Sequence, residues 1–167
     1  FNEDMDKSSY SGKLTANDFD IGKFWRLGSQ VGTISFNAEL TGSGFTSDKV
    51  AARLKGTVDH VTLNNYTYSN ITVDANVARK LFNGILNMHD ANATLDFKGS
   101  VDFREKLPFF DFAASVKNAA LSKLKLFNRD SSALFSADAD LKMHGLNFDD
   151  FNGAIQLKNI SYSEEYK

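Results

Sequence analysis

Apolar and polar positions alternate along most of this chain, and the stretch Ala93–Arg104 (ATLDFKGSVDFR) shows the pattern most clearly. Its odd positions are apolar or small, whereas its even positions are polar without exception. Successive side chains of a β-strand point to opposite faces, so this period of two predicts a long strand with one apolar and one solvated face. The same design recurs from Val31 onward, in segments separated by short polar turns.

The alternating segments predict roughly eight to ten strands, which is typical of an all-β, mainly antiparallel protein. At 167 residues the chain is long enough for one domain with a sizeable core. We expect residues 31–167 to form this single amphipathic domain and residues 1–30 to form a lead-in segment. The first part of the lead-in, residues 1–13, is polar and is expected to be loose.

Some segments break the simple alternation. Thr15–Leu27 is typical of a strand followed by a short helix, for which Asn17 or Asp18 would supply the cap. Asn118–Phe127 fits either a short helical turn or a strand with a bulge. The phase of the alternation also slips at His60, which indicates a bulge or the end of a strand.

The apolar positions of the predicted strands share one face, which is rich in phenylalanine. The chain has 15 phenylalanines but a single tryptophan, so its aromatic content is mainly apolar mass. Glycines 56, 84, 99 and 153 occur on the same side, and glycine on an inner face lets a sheet curve tightly. The candidate lining of this face is Phe36, Leu40, Leu54, Val58, Ile71, Val73, Leu95, Phe97, Val101, Phe103, Phe110, Phe112, Phe135, Leu141, Ile155 and Leu157.

Strands with one apolar face must bury that face. They do so by pairing two sheets into a sandwich, by closing a barrel, or by forming a groove around an apolar ligand. Each buried side chain contributes about 1.5–3 kcal/mol, whether it packs against protein or against an acyl chain. The alternation therefore predicts the apolar face but leaves these three architectures open.

A weak internal repeat relates residues 34–58 to residues 135–157. Phe36–Leu40 is echoed by Ala137–Leu141, at an offset of 101 residues. A glycine followed by apolar and acidic residues recurs after each segment at the same offset, from Gly44 and from Gly145. Two copies of one motif indicate an array that extends by repetition, although any two amphipathic hairpins share part of this likeness.

Composition narrows the class of protein. The net charge of −2 gives no indication of nucleic acid or of an anionic membrane surface as partner. The chain has no cysteine, which excludes a disulfide framework and a thiolate metal site and fits a cytosolic or a Gram-negative periplasmic location. No apolar run is long enough to span a bilayer. Because the chain begins at Phe1, we interpret it as a piece of a longer protein or as a mature form.

The sequence carries no catalytic signature. His60, His89 and His144 share no metal-ligand spacing. Asp138 and Asp140 lie on one face of a predicted strand, but lysines and serines surround them, which favours a solvated surface over an acid–base pair. Neither a phosphate-binding loop nor a nucleophile elbow is present. We therefore expect a protein that is not an enzyme and that uses no cofactor and no metal.

Several short motifs resemble the repeats of the TamB and AsmA-like envelope proteins, in the version found in Bacteroidetes. The resemblance covers roughly residues 30–160, and its motifs are short and degenerate. The residues that carry it are Gly44–Asp48 (GFTSD), Leu54–Val58 (LKGTV), Tyr66–Ile71 (YTYSNI) and Leu95–Gly99 (LDFKG).

This resemblance implies a fold, a location and a function. The fold would be a curved, U-shaped β-groove or β-taco with one or two short helices. The chain would be an internal segment of a large periplasmic protein that is anchored in the inner membrane of a Gram-negative bacterium. Its apolar groove would bind or conduct phospholipid, or another acyl-chain ligand, between the inner and outer membranes, or support outer-membrane assembly. Its partners would be flanking repeats of the same protein and the outer-membrane assembly machinery.

Two further expectations come from the residues alone. Polar loops at the strand ends favour, as the alternative, a closed β-sandwich that acts as a cell-surface binding or adhesion module. Exposed edge strands at both ends of a segment would also allow two copies to pair into a homodimer.

Overall fold

The computed structural model of the chain describes residues 9–20, 23, 31–44, 49–126, 132–145 and 150–164. In this part of the chain a single sheet is formed by nine strands, and each strand pairs antiparallel with its neighbours in sequence. The strands are β1 (Ser9–Asp20), β2 (Val31–Ser43), β3 (Ala51–Leu63), β4 (Tyr66–Ala78), β5 (Leu81–Asp90), β6 (Ala93–Asp102), β7 (Phe109–Ala120), β8 (Leu134–His144) and β9 (Asn152–Ser163).

The sheet is open. β1 and β9 are its two edge strands, and within the described ranges they do not pair with each other. This arrangement confirms the predicted all-β antiparallel class and fits a curved, groove-like sheet. The described residues form neither of the alternatives, a two-sheet sandwich or a closed barrel.

The N-terminal strand corrects one expectation. Residues 9–13 belong to β1, which pairs with β2, so they are not a loose lead-in. Asn17 and Asp18 also lie inside β1 and cap no helix. The backbone N–H of Lys23 instead donates to Asp20 Oδ1 at 2.8 Å, which is the geometry of a helix cap. The remaining residues of the predicted short helix, 21–22 and 24–27, lie outside the described residues.

Tight turns join the central strands. Asn64 and Asn65 connect β3 to β4 with φ angles of 50° and 61°. Arg79 and Lys80 connect β4 to β5 with φ angles of 48° and 68°. Two successive residues with positive φ are the mark of a type I′ turn, whose twist matches that of the paired strands. These turns keep successive strands adjacent and fix their register.

The connection from β7 to β8 begins as a bulged strand and continues as one helical turn, so both predicted descriptions of this segment apply. The N–H of Leu124 donates to the carbonyl of Ala120 at 3.0 Å. The N–H of Leu126 donates to the carbonyl of Leu121 at 3.0 Å, and Lys125 has a φ of 59°. This pattern is a Schellman ending, in which a residue in the left-handed region stops the turn.

The phase slip at His60 is a bulge and not the end of a strand. Phe36 pairs with Val58, whereas Ser35 pairs with His60, so Asp59 is the extra residue. A bulge of this kind re-aims the following side chains and increases the local twist of the sheet.

The strands repeat with the same spacing as the sequence. β1 and β7 begin and end 100 residues apart. The first residues of β3 and β9, and the last residues of β2 and β8, are 101 residues apart. The chain therefore contains one three-stranded unit at each edge of the sheet, with β4 to β6 between them. Residues 45–48 and 146–149 of the sequence motif lie outside the described residues.

The bulges of β1 and β7 repeat in detail. Asp18 and Asn118 have φ angles of 49° and 51°, and each lies at a register shift of its strand. The backbone N–H of Asp18 donates to Ser35 Oγ at 2.8 Å, and that of Asn118 donates to Ser136 Oγ at 2.9 Å. Asp and Asn tolerate positive φ better than other residues with a Cβ, which explains their use at both sites.

Candidate functional site

The strand register places the predicted lining on one face of the sheet, which we call the apolar face. Residues that pair across an antiparallel sheet point to the same side. All predicted lining residues except Phe103 lie within strands and occupy this face. Phe103 is the first residue after the end of β6. One complete row from β2 to β9 is Leu40, Leu54, Ala75, Gly84, Gly99, Phe112, Leu141 and Ile155.

The adjacent rows of the apolar face are equally free of charge. Sequence reasoning did not place several of their members in the lining, although the same alternation identifies them. The row on one side of Leu54 includes Gly56, Val73, Leu86, Phe97, Ala114, Ala139 and Leu157, and the row beyond it includes Phe36, Val58, Ile71, Met88, Leu95, Val116 and Ala137.

No second layer covers this face in the described part of the chain. No large side chain there is less than 2% exposed, and the most buried residues are mainly alanines such as Ala75. Ile155 and Leu157 are 48% and 52% exposed. The total accessible surface is 11713 Å², whereas a compact monomer of this mass exposes about 8,200 Å². The apolar face is therefore half-buried in the central strands and most exposed at the edge strand β9.

A strip of phenylalanines crosses β5, β6 and β7 on the apolar face. Phe97 is central: its ring centroid lies 6.1 Å from that of Phe82 and 4.9 Å from that of Phe112. The strip continues from Phe112 to Phe110 at 6.5 Å and from Phe110 to Phe103 at 6.3 Å. These separations are those of attractive aromatic pairs. The strip leads to one end of the sheet, where Phe103 is 51% exposed.

Glycines lie beneath this strip, where backbones come close together. Gly84 and Gly99 face each other across β5 and β6. A Cβ added to Gly84 would lie 2.5 Å from the Cβ of Ala75, and one added to Gly99 would lie 2.4 Å from the Cα of Phe112. Such distances permit only glycine, and they occur on the apolar face. The four predicted glycines all lie on this side, which supports their suggested role in curvature.

The β7–β8 turn covers one end of the apolar face, which we call the closed end. Leu121 and Leu124 of this turn are 9% and 3% exposed and belong to one cluster with Ile71 and Met88. The N–H of Leu121 also donates to the carbonyl of Ala133 at 3.1 Å, which ties the turn to the start of β8. Of the predicted lining residues, Ile71 is a member of this cluster, and Val58, Leu95 and Phe135 pack against it, so all four contact protein.

At the opposite end of the apolar face, which we call the open end, no turn covers the face among the described residues. The N–H of Phe103 donates to the carbonyl of Lys80 at 3.0 Å, and that of Arg79 donates to the carbonyl of Val50 at 2.9 Å. The exposed Arg79–Lys80 turn therefore lies beside the last ring of the phenylalanine strip. Sequence reasoning treated these cations only as a break between strands.

Arg104 is engaged at the same end. Its Nε donates to both carboxylate oxygens of Asp102, at 2.8 and 3.0 Å. These hydrogen bonds, with the backbone N–H of Arg104, lower the pKa of Asp102 to about 2. Asp102 therefore neutralises Arg104 at the open end.

The other face of the sheet is polar, and several of its charges are paired. Arg53 contacts both carboxylate oxygens of Asp74 at 2.9 and 3.1 Å, and Lys158 contacts Asp140 at 3.2 Å. Asn159 donates to Asp138 at 2.6 Å. One shallow depression of about 510 Å³ lies on this face and includes Asp140 in its lining. The two aspartates that were weighed as an acid–base pair thus hold a lysine and an asparagine on a solvated surface.

Asp18, Ser35 and His60 converge between β1, β2 and β3. Ser35 Oγ lies 3.3 Å from His60 Nε2, and Asp18 Oδ1 lies 2.8 Å from the same nitrogen. A nucleophilic triad needs the hydroxyl and the carboxylate on different ring nitrogens, so that one orients the ring while the other transfers a proton. Here both contact Nε2, and Ser35 Oγ already accepts the N–H of Asp18. The cluster holds the bulge of β1 and lacks the geometry of a triad.

Asp90 organises the closed end between β4, β5 and β6. It accepts the N–H and the hydroxyl of Ser69 at 3.0 and 2.9 Å, the N–H of Asn92 at 2.9 Å, and the hydroxyl of Tyr66. Burial raises the pKa of Asp90, but these donors outweigh burial, and the net pKa lies below its usual range. Burial, followed by the bond to Asp90, raises the pKa of Tyr66.

The fold and the site define a single-sheet β-protein whose one face is continuous and uncharged and, among the described residues, is covered only at its closed end. Comparison with protein-family models, with curated proteins and with solved structures finds no match to this chain. No helix among the described residues has the length and hydropathy needed to cross a membrane. Among the same residues, no group of three or more His, Cys, Asp or Glu side chains could hold a metal ion.

Proposed function

We propose that this chain is a non-enzymatic segment of a periplasmic protein of the TamB/AsmA-like type, and that its apolar face binds phospholipid. In the full-length protein, anchored in the inner membrane, the face would conduct lipid toward the outer membrane or support outer-membrane assembly. The observation that carries the proposal is the set of uncharged rows that crosses the nine-stranded sheet, over which the described part of the chain places no second layer.

The physical argument starts from the cost of an open apolar face. Exposed apolar surface costs about 25 cal/mol per Å² relative to burial. A face this large and continuous therefore indicates an interaction site in a soluble domain. An acyl chain suits it because the rows that cross Phe97 and Phe112 offer no charged group and no polar group that would need a partner. Polar or charged ligands would gain no directional contact there.

The adhesion alternative has less support. It required a closed sandwich with a ligand site on its loops, and the described residues form one open sheet. Among the described residues, the cluster of Asp18, Ser35 and His60 gives no support to an enzymatic role, because Asp18 and Ser35 both contact Nε2 of His60. The proposal therefore treats binding as the activity of this segment. Its partners would be phospholipid along the face and neighbouring repeats of the same protein at the edges β1 and β9.

Site-specific photo-crosslinking in cells tests the proposal. A photoreactive phenylalanine analogue is placed at Phe97, within the phenylalanine strip, and the matched control places it at Lys98, the next residue on the polar face. We expect phospholipid adducts at position 97 and few or none at position 98, measured by mass spectrometry after purification. Equal labelling at both positions, or protein adducts alone at position 97, would refute lipid binding by the apolar face.

A further inference from the structure

The hairpins β2–β3 and β8–β9 have the same strand register, so β9 is the structural counterpart of β3. Each pair of β2–β3 from Ser43–Ala51 to Asn37–Thr57 recurs in β8–β9, with both residues 101 positions later. Beyond these pairs, both hairpins shift by one residue at the corresponding place. The repeat is therefore one of backbone pairing as well as of sequence.

β3 and β9 differ in what lies on their other side. β3 pairs along its whole length with β4, and alternate residues of β3 are half-buried. All twelve residues of β9 are exposed, and no other described strand pairs with its outer edge. An edge strand presents a row of backbone N–H and C=O groups to a further strand. The repeat indicates which kind of strand this edge would take.

We propose that the outer edge of β9 binds an extended segment with the pattern of β4, antiparallel and in the register that β4 holds on β3. In this register Ile155 lies opposite the position of Ala75, and Leu157 lies opposite that of Val73. The apolar face then continues across the new strand. Strand addition takes its affinity from main-chain hydrogen bonds and its specificity from alternate side chains. The inference rests on the neighbouring repeats of the proposed function and is independent of lipid binding.

The apolar positions of β9 carry this fit more than its charges do. Ile155 and Leu157 are 48% and 52% exposed, so a strand beside them would remove apolar surface from water. On β3, Nη2 of Arg53 donates to Oδ1 of Asp74 at 2.9 Å. Ala154 takes the place of Arg53 on β9, so this ion pair has no counterpart there.

Disulfide trapping of a synthetic strand tests the register, because the chain has no cysteine of its own. The probe is a peptide with the sequence of Tyr66–Ala78, mixed with the full chain in a glutathione buffer and measured by mass spectrometry. The matched combinations are Ile155→Cys with an Ala75→Cys peptide and Gln156→Cys with an Asp74→Cys peptide. Adjacent pairs of an antiparallel ladder alternate in spacing, so one of the two combinations has the closer spacing that suits a disulfide and should form it.

Two controls separate this register from other contacts. Exchanging the two peptides places the thiols on opposite faces and should lower the yield about tenfold. Leu14→Cys controls for the edge, because Leu14 is 47% exposed on β1, whose counterpart β7 pairs on that side with β6. Equal yields at both edges or with exchanged peptides, or disulfide-linked protein dimers in place of peptide adducts, would overturn the proposal. Circular dichroism checks that the variants retain the sheet.

Restoring the missing cation gives a second test. Ala154→Arg should bind the Tyr66–Ala78 peptide about two- to fivefold more tightly than the wild type does, which is the range of an exposed ion pair. Fluorescence anisotropy of the labelled peptide measures the affinity, and an Asp74→Asn peptide should show no such gain. Equal gains with both peptides, or no gain with either, would overturn the register. Lipid binding would stand or fall separately, on the photo-crosslinking at Phe97.

Discussion

At the scale of single residues, the apolar face depends on glycines at positions where a Cβ would collide with the neighbouring strand. Gly99 has a φ of 151°, and a Cβ at this site would lie 2.4 Å from both the carbonyl oxygen of Asp111 and the Cα of Phe112. Gly12 occupies the same row in the edge strand β1, where no atom lies within 4 Å of an added Cβ. The two glycines thus allow the cost of close backbone approach to be measured against a matched reference.

We expect Gly99→Ala to lower the free energy of unfolding by about 2–4 kcal/mol, because the new Cβ combines backbone strain with overpacking. Gly12→Ala should change it by no more than about 0.5 kcal/mol. Urea unfolding followed by circular dichroism measures both. Equal stability of the two variants would contradict the close approach of β6 and β7 at this site.

A second prediction at this scale concerns Asp90 and pH. Its pKa is lowered in the folded state, so its contribution to stability is complete above the unfolded value of about 3.9 and is lost as the pH falls through the folded value. Tyr66, Ser69 and Asn92 all donate to the carboxylate of Asp90, and Asp90→Asn replaces one of its two acceptor oxygens by a donor group. The substitution should lower the free energy of unfolding by about 1–2 kcal/mol at pH 7.

Unfolding of the wild type and of Asp90→Asn at several pH values between 7 and acid tests this prediction. The difference in stability between the two should shrink as the pH falls below about 4. Asp96→Asn, at an exposed position of β6, is the control and should behave as the wild type at pH 7. A difference that stays constant across this pH range would show that the carboxylate charge of Asp90 does not stabilise the fold.

At the scale of elements, the strands follow from local pattern and the covering turn does not. β3 shows why: its alternation of half-buried and exposed residues appears directly in its sequence, and its bulge appears as a phase slip at His60. The strand predicted to begin at Thr15 is the second half of β1. Its first half was missed because nearly all of Ser9–Asp20 is exposed or polar, as an edge strand allows. The packing of Leu121 and Leu124 is a tertiary contact with strands distant in sequence, and local periodicity carries no information about it.

The same limit applied to the candidate site. Alternation identified the apolar face, since every member of a row obeys the period of two along its own strand. It could not distinguish residues beneath the turn, such as Leu95, from uncovered residues such as Phe97, because both occupy the same face of one strand. Nor could it place Arg79 and Lys80 beside Phe103, which requires the pairing of β5 with β6.

The closed end gives a stability prediction at the element scale. Leu124→Ala should lower the free energy of unfolding by about 2–5 kcal/mol, because a buried leucine is lost and a cavity remains. Leu126→Ala, two residues later on the exposed side of the same turn, should have little effect. Thermal and urea unfolding measure both variants. If the two leucines are equally dispensable, the turn does not pack against the apolar face in solution.

At the scale of the whole molecule, the sheet ends at β9, and no other described strand pairs with its outer edge. All twelve residues of this strand are exposed, and Ile155, Leu157 and Ile160 continue the apolar face to the edge. A long edge strand with an apolar face and no proline is a template for pairing with another strand. In the isolated chain, a second copy is the available partner, and pairing along β9 would extend the face without interrupting its rows.

We therefore expect the isolated chain to associate as its concentration rises, in light scattering coupled to size-exclusion chromatography. Leu157→Lys should shift the population to monomer, because a lysine on the apolar face at the edge would need to be buried in the paired sheet. Gln156→Lys, which adds the same charge to the polar face of β9, should leave association intact. If both variants associate as the wild type does, the copies do not pair along β9. Association would then come from stacking of two apolar faces, and mild detergent should disperse it.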